Sequence, residues 1–413
     1  MSLGFVFSLA IDVRLALRNI LRQSRRSFIA VLAIGFGVIA MMLAAGFIEW
    51  VLWANKEGVA VTQIGHIQVF RPGYNEEGKS DPFAFLLPQD SAAFSAIEKQ
   101  SSVKSVTPRI DFNGLISHGD STLSFIGQGI DPVKDPALRY LIIVEGQALS
   151  VQDPKGILVG TGLASNLGVR VGDTVVLLTS TRTGGLGAVE GRVSGLVSTS
   201  MKAYDDSMLR ISTDLARQLL RTAGAHVWVV SLSDTDLTEL VAARLHSEPE
   251  LASFEIATWS QLADFYNKTV ELFGRQINVV KMIIAVIIVL SITNTMTMSV
   301  MERTVEIGTA MALGMKRRRI LWLFILEGVI LGAIAGAMGT LIGYMSAQAI
   351  SYVGIPMPPA PGMSRGFTAS ILITPQIILE ALLLAIVTTL LASIYPAWRA
   401  SRLDVVDALR HNR

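Results

Sequence analysis

The 413-residue chain contains no cysteine. That excludes a disulfide framework and any thiolate metal site, and it leaves the redox compartment open, because a disulfide-free domain is stable on either side of a membrane. Histidine is scarce too. The five, at positions 66, 118, 226, 246 and 411, have no partner at metal-ligand spacing and read as strand or surface residues. No Gly-x-Ser-x-Gly elbow or other nucleophile pattern occurs, so intrinsic catalysis has no support. Charged residues make up 16% of the chain and hydrophobic ones 51%, which places it on the membrane side of soluble averages. The formal net charge of +2 says little about partners, since the charge is segregated along the chain. No cleavable secretory signal is expected either: the apolar run 3–11 is interrupted by Asp12 and followed by arginines instead of a small-residue cleavage site.

What the chain does have is long apolar runs with basic flanks. Arg14, Arg18 and Arg22 recur every four residues and, with Arg25 and Arg26, precede the charge-free run 28–48. Basic residues beside a span stay in the cytoplasm, so this span runs outward and ends at an interface marked by Trp50 and Trp53. Further spans follow at 282–301, 320–353 and 371–395, and the first of these is about as long as the hydrocarbon core requires of a helix. The basic run Lys316-Arg-Arg-Arg319, and Arg399 with Arg402, then fall on the same side as the N-terminal arginines. Both termini are expected inside, with one large domain (54–276) and a proline-rich loop outside.

Within 54–276 the pattern turns to short strands punctuated by Gly, Pro and Asp. A strand at 64–70, a helix at 90–100 and extended segments at 103–117 and 122–130 are matched later by a strand at 226–232, a helix at 236–246 and a strand at 254–258. Two such units around an insertion predict a split βαβ sandwich of the ferredoxin-like kind. The insertion, 131–224, has valine-rich, glycine-punctuated stretches at 156–162, 167–177 and 191–197 that predict a β-rich subdomain. The segment 259–281 returns to a helical pattern and leads directly into the second span.

The stretch Glu302-Arg-Thr-Val-Glu-Ile-Gly-Thr-Ala-Met-Ala-Leu-Gly314 follows that span without a break. Ile307, Ala310, Met311, Gly314 and Met315 share one helix face. Glu302 and Glu306 at its start and Lys316 to Arg319 at its end suit a helix dipole. Two carboxylates at i, i+4 repel mildly; Arg303 can pair with Glu306, and a cation from a partner would improve the site. Two readings stand, a docking surface on the cytoplasmic side or an amphipathic helix lying in the lipid interface. In the third span Gly328, Gly332 and Gly336, and then Gly339 and Gly343, are spaced by four. That is either a close helix interface, within the subunit or across a dimer, or incidental packing. Glu49, Glu327 and Glu380 lie in or near spans, where charge marks function by default, although snorkelling or a helix–helix hydrogen bond is the simpler account. The literal P-loop match Gly73-Tyr-Asn-Glu-Glu-Gly78-Lys79-Ser80 is in the wrong context. Asp81-Pro82 follows at once, and Glu76 and Glu77 would face the phosphates.

The residues Glu302-Arg303-Thr-Val-Glu306-Ile307-Gly308, Ala312-Leu313-Gly314, and Phe324 with Glu327 resemble the signature after the second span in the FtsX/MacB/Lol-type permeases of ABC transporters. Tyr395-Pro396-Ala397-Trp398-Arg399-Ala400, with Ala408, Leu409 and Arg410, is similar to that family's C-terminal signature; Val405-Val406-Asp407 stands where many members have a proline. Leu15-Ala-Leu-Arg18-Asn19 with Arg25-Arg26 resembles its opening. The resemblance implies an α-helical membrane domain of four transmembrane helices plus an α+β extracytoplasmic domain, with a ferredoxin-like porter part (54–130 and 225–276) and an inserted β-rich sabre part (131–224). The expected order is an amphipathic helix at 1–26, spans at 27–53, 277–301, 320–353 and 371–395, a coupling helix at 302–319, an external loop at 354–370 and a tail at 396–413. It further implies a bacterial inner-membrane location, a second permease chain and a separate cytoplasmic ABC ATPase dimer. ATP and Mg would be bound by that ATPase and no cofactor by this chain. ATPase contacts are expected at Glu302, Arg303, Glu306, Ile307, Gly308, Ala312, Leu313 and Gly314. Gly65-His66-Ile67-Gln68-Val69 looks closest to lipoprotein-releasing permeases, which work with a periplasmic chaperone. The alternatives are adaptor-assisted export of peptides or toxic compounds, and signalling to a cell-wall hydrolase.

Overall fold

The computed structural model describes residues 2–78, 81–88, 91–135, 138, 141–199, 202–359 and 366–403. They form two compact units, one of 1–52, 270–355 and 368–413 and one of 53–269 with 356–367. Helix α1 (Ser2–Arg22) is separated by one turn residue from α2 (Ser24–Glu57). The amphipathic helix therefore stops short of the expected 1–26, and Arg25 and Arg26 belong to the first turn of the span.

In the β-rich unit, β1 (Ile67–Phe70), α3 (Ala92–Glu98) and β2 (Val103–His118) form the first βαβ unit. Next come β3 (Ser121–Ile130), β4 (Ile142–Gly146), β5 (Gly156–Gly160), α4 (Thr161–Leu167), β6 (Thr174–Ser180), β7 (Leu186–Ser198), β8 (Met208–Ser212) and α5 (Thr213–Leu220). The second βαβ unit is β9 (Val227–Leu232), α6 (Thr238–His246) and β10 (Glu255–Thr258). The spatial order β10-β1-β9-β2, with every neighbouring pair antiparallel, is the ferredoxin-like arrangement that two split βαβ units produce. Its core closes on Trp228, 1% exposed, with Phe94 edge-on at 5.5 Å and Phe254 at 5.2 Å. The strand expected to begin at 64 begins at Ile67. Gly65 turns the chain ahead of it at φ +88°, and a Cβ there would lie 2.2 Å from Val229.

The inserted part starts earlier than residue 131. Residues Val103 to Arg109 of β2 pair with β9, whereas Ile110 to His118 pair with β3, which itself pairs in parallel with β8. Ile110, Phe112, Phe125, Val175, Val193 and Ile211 share a second core. One uninterrupted 16-residue strand thus serves both parts, and no turn residue marks the border. The stretch expected as a strand at 167–177 closes α4 at Leu167, turns at Gly168 (φ +75°) and enters β6 only at Thr174.

The membrane-type unit continues with α7 (Asp264–Glu302), α8 (Thr304–Ala312), α9 (Arg317–Val353) and α10 (Pro375–Ser401). Among the described residues four helices, α2, α7, α9 and α10, are long and apolar enough to cross a membrane. Helix α10 runs through Pro396 to Ser401, past the expected end at 395. Proline has no N–H for the carbonyl of Ala392 four residues back, and the Thr293 hydroxyl of α7 donates to that carbonyl instead, at 3.2 Å. The glycine ladder divides between two partners. An added Cβ would lie 2.7 Å from Ser393 at Gly328, 2.0 Å from Thr389 at Gly332 and 3.1 Å from Ala385 at Gly336, all on α10. Gly339 and Gly343 instead face Gly35 and Met42 of α2, at 2.9 and 3.1 Å. Close backbone approach within one subunit is what these glycines permit. Gly332→Leu is expected to destabilise the chain by at least about 2 kcal/mol through overpacking, and a Gly332→Cys/Thr389→Cys pair to crosslink readily. A thermal midpoint in detergent unchanged by Gly332→Leu would remove this account of the ladder.

Candidate functional site

The residues singled out after the second span gather at the arginine-rich end of the helix bundle. Helix α7 ends at Glu302, Arg303 leaves helical geometry (φ −97°, ψ 11°), and α8 is a separate nine-residue helix. Gly314, at φ +96°, then reverses the chain. The basic run consequently caps and opens α9 and does not close α8, a correction to the dipole argument; Arg319 is held instead by the carboxylate of Asp12 on α1 at 3.0 Å.

The carboxylates of Glu302 and Glu306 already have cations, and both come from this chain. Arg22 lies 2.9 Å from Glu306, and Arg26 pairs with Glu302. The Glu302 and Glu306 side chains are each 48% exposed. Such half-solvated pairs are screened and are worth about 0–1 kcal/mol each. A different interaction fixes the junction. Glu327 on α9 is 5% exposed and accepts two hydrogen bonds from Arg303 Nη1, at 3.0 and 3.2 Å, and one from Asn19 Nδ2 of α1 at 2.6 Å. The Arg303 guanidinium also lies over the Phe324 ring, 5.3 Å from its centroid, and its Nε faces Glu306 at 3.6 Å. Ser299 of α7 donates to Gln23 between α1 and α2 at 2.8 Å. Four elements thus meet through one buried carboxylate and its shell.

Of the eight residues expected to contact a partner, the structure exposes Glu302, Glu306, Ala312, Leu313 and Gly314. Ile307 and Gly308 are turned into the bundle core, Ile307 beside Ile320, and Arg303 is taken up by Glu327. They position α8 and do not present it. Leu313, 84% exposed, is the apolar tip. The sequence does not mark Asn19, Gln23 and Asp12 as members of the junction; Asp12 and Asn19 lie on α1 and Gln23 in the turn after it. Of the C-terminal motif, Ala397 and Ala400 are buried, Tyr395 and Arg399 are exposed, and Ala408, Leu409 and Arg410 lie outside the described residues.

Among its described residues, 73–78, the P-loop match forms no phosphate cradle. Its residues 74–77 make one four-residue helical turn, the Gly73 N–H donates to the carboxylate of Glu255 at 3.3 Å, and Lys79 and Ser80 lie outside the described residues. Burial holds the Tyr74 hydroxyl well above its ordinary pKa, with Asp111 adding to the effect. His226, stacked on Tyr74, is held below the usual imidazole value by burial. His66 is also buried. It accepts from the Leu232 N–H at 3.3 Å and contacts Thr235 at 3.2 Å, so Gly65 and His66 are both explained by packing of β1. No group of three metal-ligating side chains occurs among the described residues.

A family model for the MacB-like periplasmic core domain matches residues 27–248, and one for the FtsX-like permease C-terminal domain matches 278–405. The chain belongs to the FtsX/MacB-type ABC transporter permeases. An uncharacterised ABC transporter permease of Methanocaldococcus jannaschii is 22% identical over 96% of this chain and 97% of its own length. The macrolide export ATP-binding/permease protein MacB of Escherichia coli is 24% identical over 96% of this chain, which spans 60% of that protein. The periplasmic region of MacB from Actinobacillus actinomycetemcomitans is 16% identical, covers 52% of this chain and 97% of that region, and superposes with a TM-score of 0.37.

Within this permease, the buried pair and the exposed pairs differ in their expected cost. Arg303→Met leaves Glu327 buried with only Asn19 and is expected to lower stability by about 3–5 kcal/mol. The double change Arg303→Met/Glu327→Met should recover most of that loss, while Arg22→Ala should cost under about 1 kcal/mol. Thermal unfolding in detergent reads all three, and a double variant as unstable as the single one would contradict the assignment.

Proposed function

We propose that this permease carries no fuel of its own and converts ATP-driven motion of a separate cytoplasmic ATPase dimer into movement of its β-rich domain. The observation that carries this reading is α8, a short helix anchored from behind by Arg303 and Glu327 and presenting Leu313, Ala312 and Gly314 with two half-exposed carboxylates at its start. An apolar tip beside acidic groups suits a basic-rimmed apolar groove on the partner. Glu302 and Glu306 can exchange Arg26 and Arg22 for the partner's cations at little net cost, because the internal pairs are weak. Motion would pass through α7, continuous over Asp264–Glu302, and α2, continuous over Ser24–Glu57. The arginine-rich end is assigned to the cytoplasm by the positive-inside rule, with the β-rich domain beyond the bilayer of an inner membrane.

A second permease chain fits the α7 surface: Val279, Ile283, Val286, Ile287 and Leu290 form a half-exposed apolar stripe facing lipid or another copy. The proposed substrate is an amphiphile extracted from the outer leaflet, with lipid-anchored proteins as the leading case and a periplasmic chaperone as receiver. The resemblance of residues 65–69 to lipoprotein-releasing permeases supports it only in part, since Gly65 and His66 have structural roles. Adaptor-assisted export of a macrolide-like compound is the second reading, favoured by the name of the Escherichia coli relative.

Docking is tested by Leu313→Asp, which touches neither ion pair. Copurification of the cognate ATPase should fall at least about tenfold, the equivalent of 1.4 kcal/mol, with the thermal midpoint of the permease unchanged. Undiminished recovery would mean that α8 is not the dock.

A further inference from the structure

At the end of the bundle opposite the arginine-rich junction, α2, α7 and α10 enclose a cavity of about 330 Å³. Its walls are Ile48, Leu52, Phe273 and Ile277, and three charged side chains also line it, Glu49, Lys281 and Glu380. Lys281 and Glu380 pair with each other, and the second oxygen of Glu380 accepts from Gln376 at 2.9 Å. Glu49 is half-buried and makes no ion pair or hydrogen bond among the described residues. Lys281 is neutralised by Glu380, so the cavity is left with one negative charge, at Glu49. That carboxylate stands next to Trp50, at the level where a span meets headgroups. A half-buried carboxylate without a cation of its own is open to pairing with one, and an apolar wall with one convergent charge is the usual makeup of a small-molecule site.

We infer that this cavity binds the amine-bearing end of an amphiphile, with the ammonium on Glu49 and the first methylenes of an apolar chain against Ile48, Leu52, Phe273 and Ile277. The Lys281–Glu380 pair also lines the cavity and disfavours a second cation, since Glu380 already has its own. An anionic amphiphile would meet Glu49 unscreened and is excluded. The inference deepens the amphiphile reading of the substrate and rests on it. The ammonium can come from a soluble alkylamine-type compound or from the headgroup of an aminophospholipid, and both have the same chemistry at Glu49.

The test uses the full chain, without ATPase, in nanodiscs of phosphatidylcholine, with radiolabelled dodecylamine as probe and dodecanol and dodecyl sulfate as comparisons. Saturable binding of one dodecylamine per chain is expected. Glu49→Gln should weaken it about tenfold, and Leu52→Trp, which fills the cavity, should abolish it. Glu271→Gln, elsewhere on α7, should leave it unchanged. Dodecanol bound as tightly as dodecylamine, or binding indifferent to Glu49→Gln, would overturn the proposal. If phosphatidylethanolamine nanodiscs suppress dodecylamine binding, the site takes the lipid headgroup; if they do not, it takes the soluble amphiphile, and either result supports the amine site. Because no ATPase is present, failure here leaves the docking of α8 untouched, and loss of docking leaves this binding intact.

Discussion

A carboxylate buried among apolar helices persists only while something holds its charge, and for Glu327 that is Arg303, with Asn19 supplying a further hydrogen bond. The geometry of α8 follows from this pairing. Arg303 sits where α7 breaks, so drawing its side chain toward α9 sets the direction in which the next helix leaves. The turn at Gly314 then returns the chain to α9 itself. The N-terminal helix is drawn into the same junction through Asn19 and through the peripheral pairs of Asp12 and Arg22, and the first turn of α2 through Arg26. A pull on α8 is thereby felt at α1, α7 and α9 together, because all three share one buried charge and none can move alone without exposing it to an apolar environment.

The remaining bundle is arranged to make such a junction firm. Small residues on α9 bring α10 and α2 to backbone contact, so the third span is packed on two sides. The orphaned carbonyl beneath Pro396 is satisfied by Thr293 from α7, which ties the helix leading into α8 to the last span. The solvated pairs at Glu302 and Glu306 are weak by comparison. Weakness suits the docking role proposed for that surface, in which one set of cations would be traded for another.

Much of this was readable from local pattern. Spans, basic flanks and the period-four glycines are short-range features, and the two βαβ units are each read from a contiguous strand–helix–strand stretch. Features decided by distant partners were not readable. Nothing around Arg22 or Arg26 says that its partner lies almost 300 positions away, and so a partner protein's cation was sought for carboxylates that already had one. The glycine ladder showed its spacing but not that Gly332 and Gly343 face different helices. The border of the inserted part was placed at 131 because β2 alternates through 110 without a glycine or turn to interrupt it. The motif as a whole marks Ile307 and Gly308 as contacts, whereas the 3.6-residue period puts them on the inner face of α8.

The central claim is that force applied at α8 reaches the β-rich domain. The direct measurement is the distance distribution between spin labels at Asp120, in the turn between β2 and β3, and at Leu341, on the exposed side of α9, in the assembled transporter. The account predicts a distribution that shifts between nucleotide-free and ATP-bound states and stops shifting in an Arg303→Met variant that still binds its ATPase. An identical distribution in every nucleotide state, in a complex that continues to transport, would contradict it.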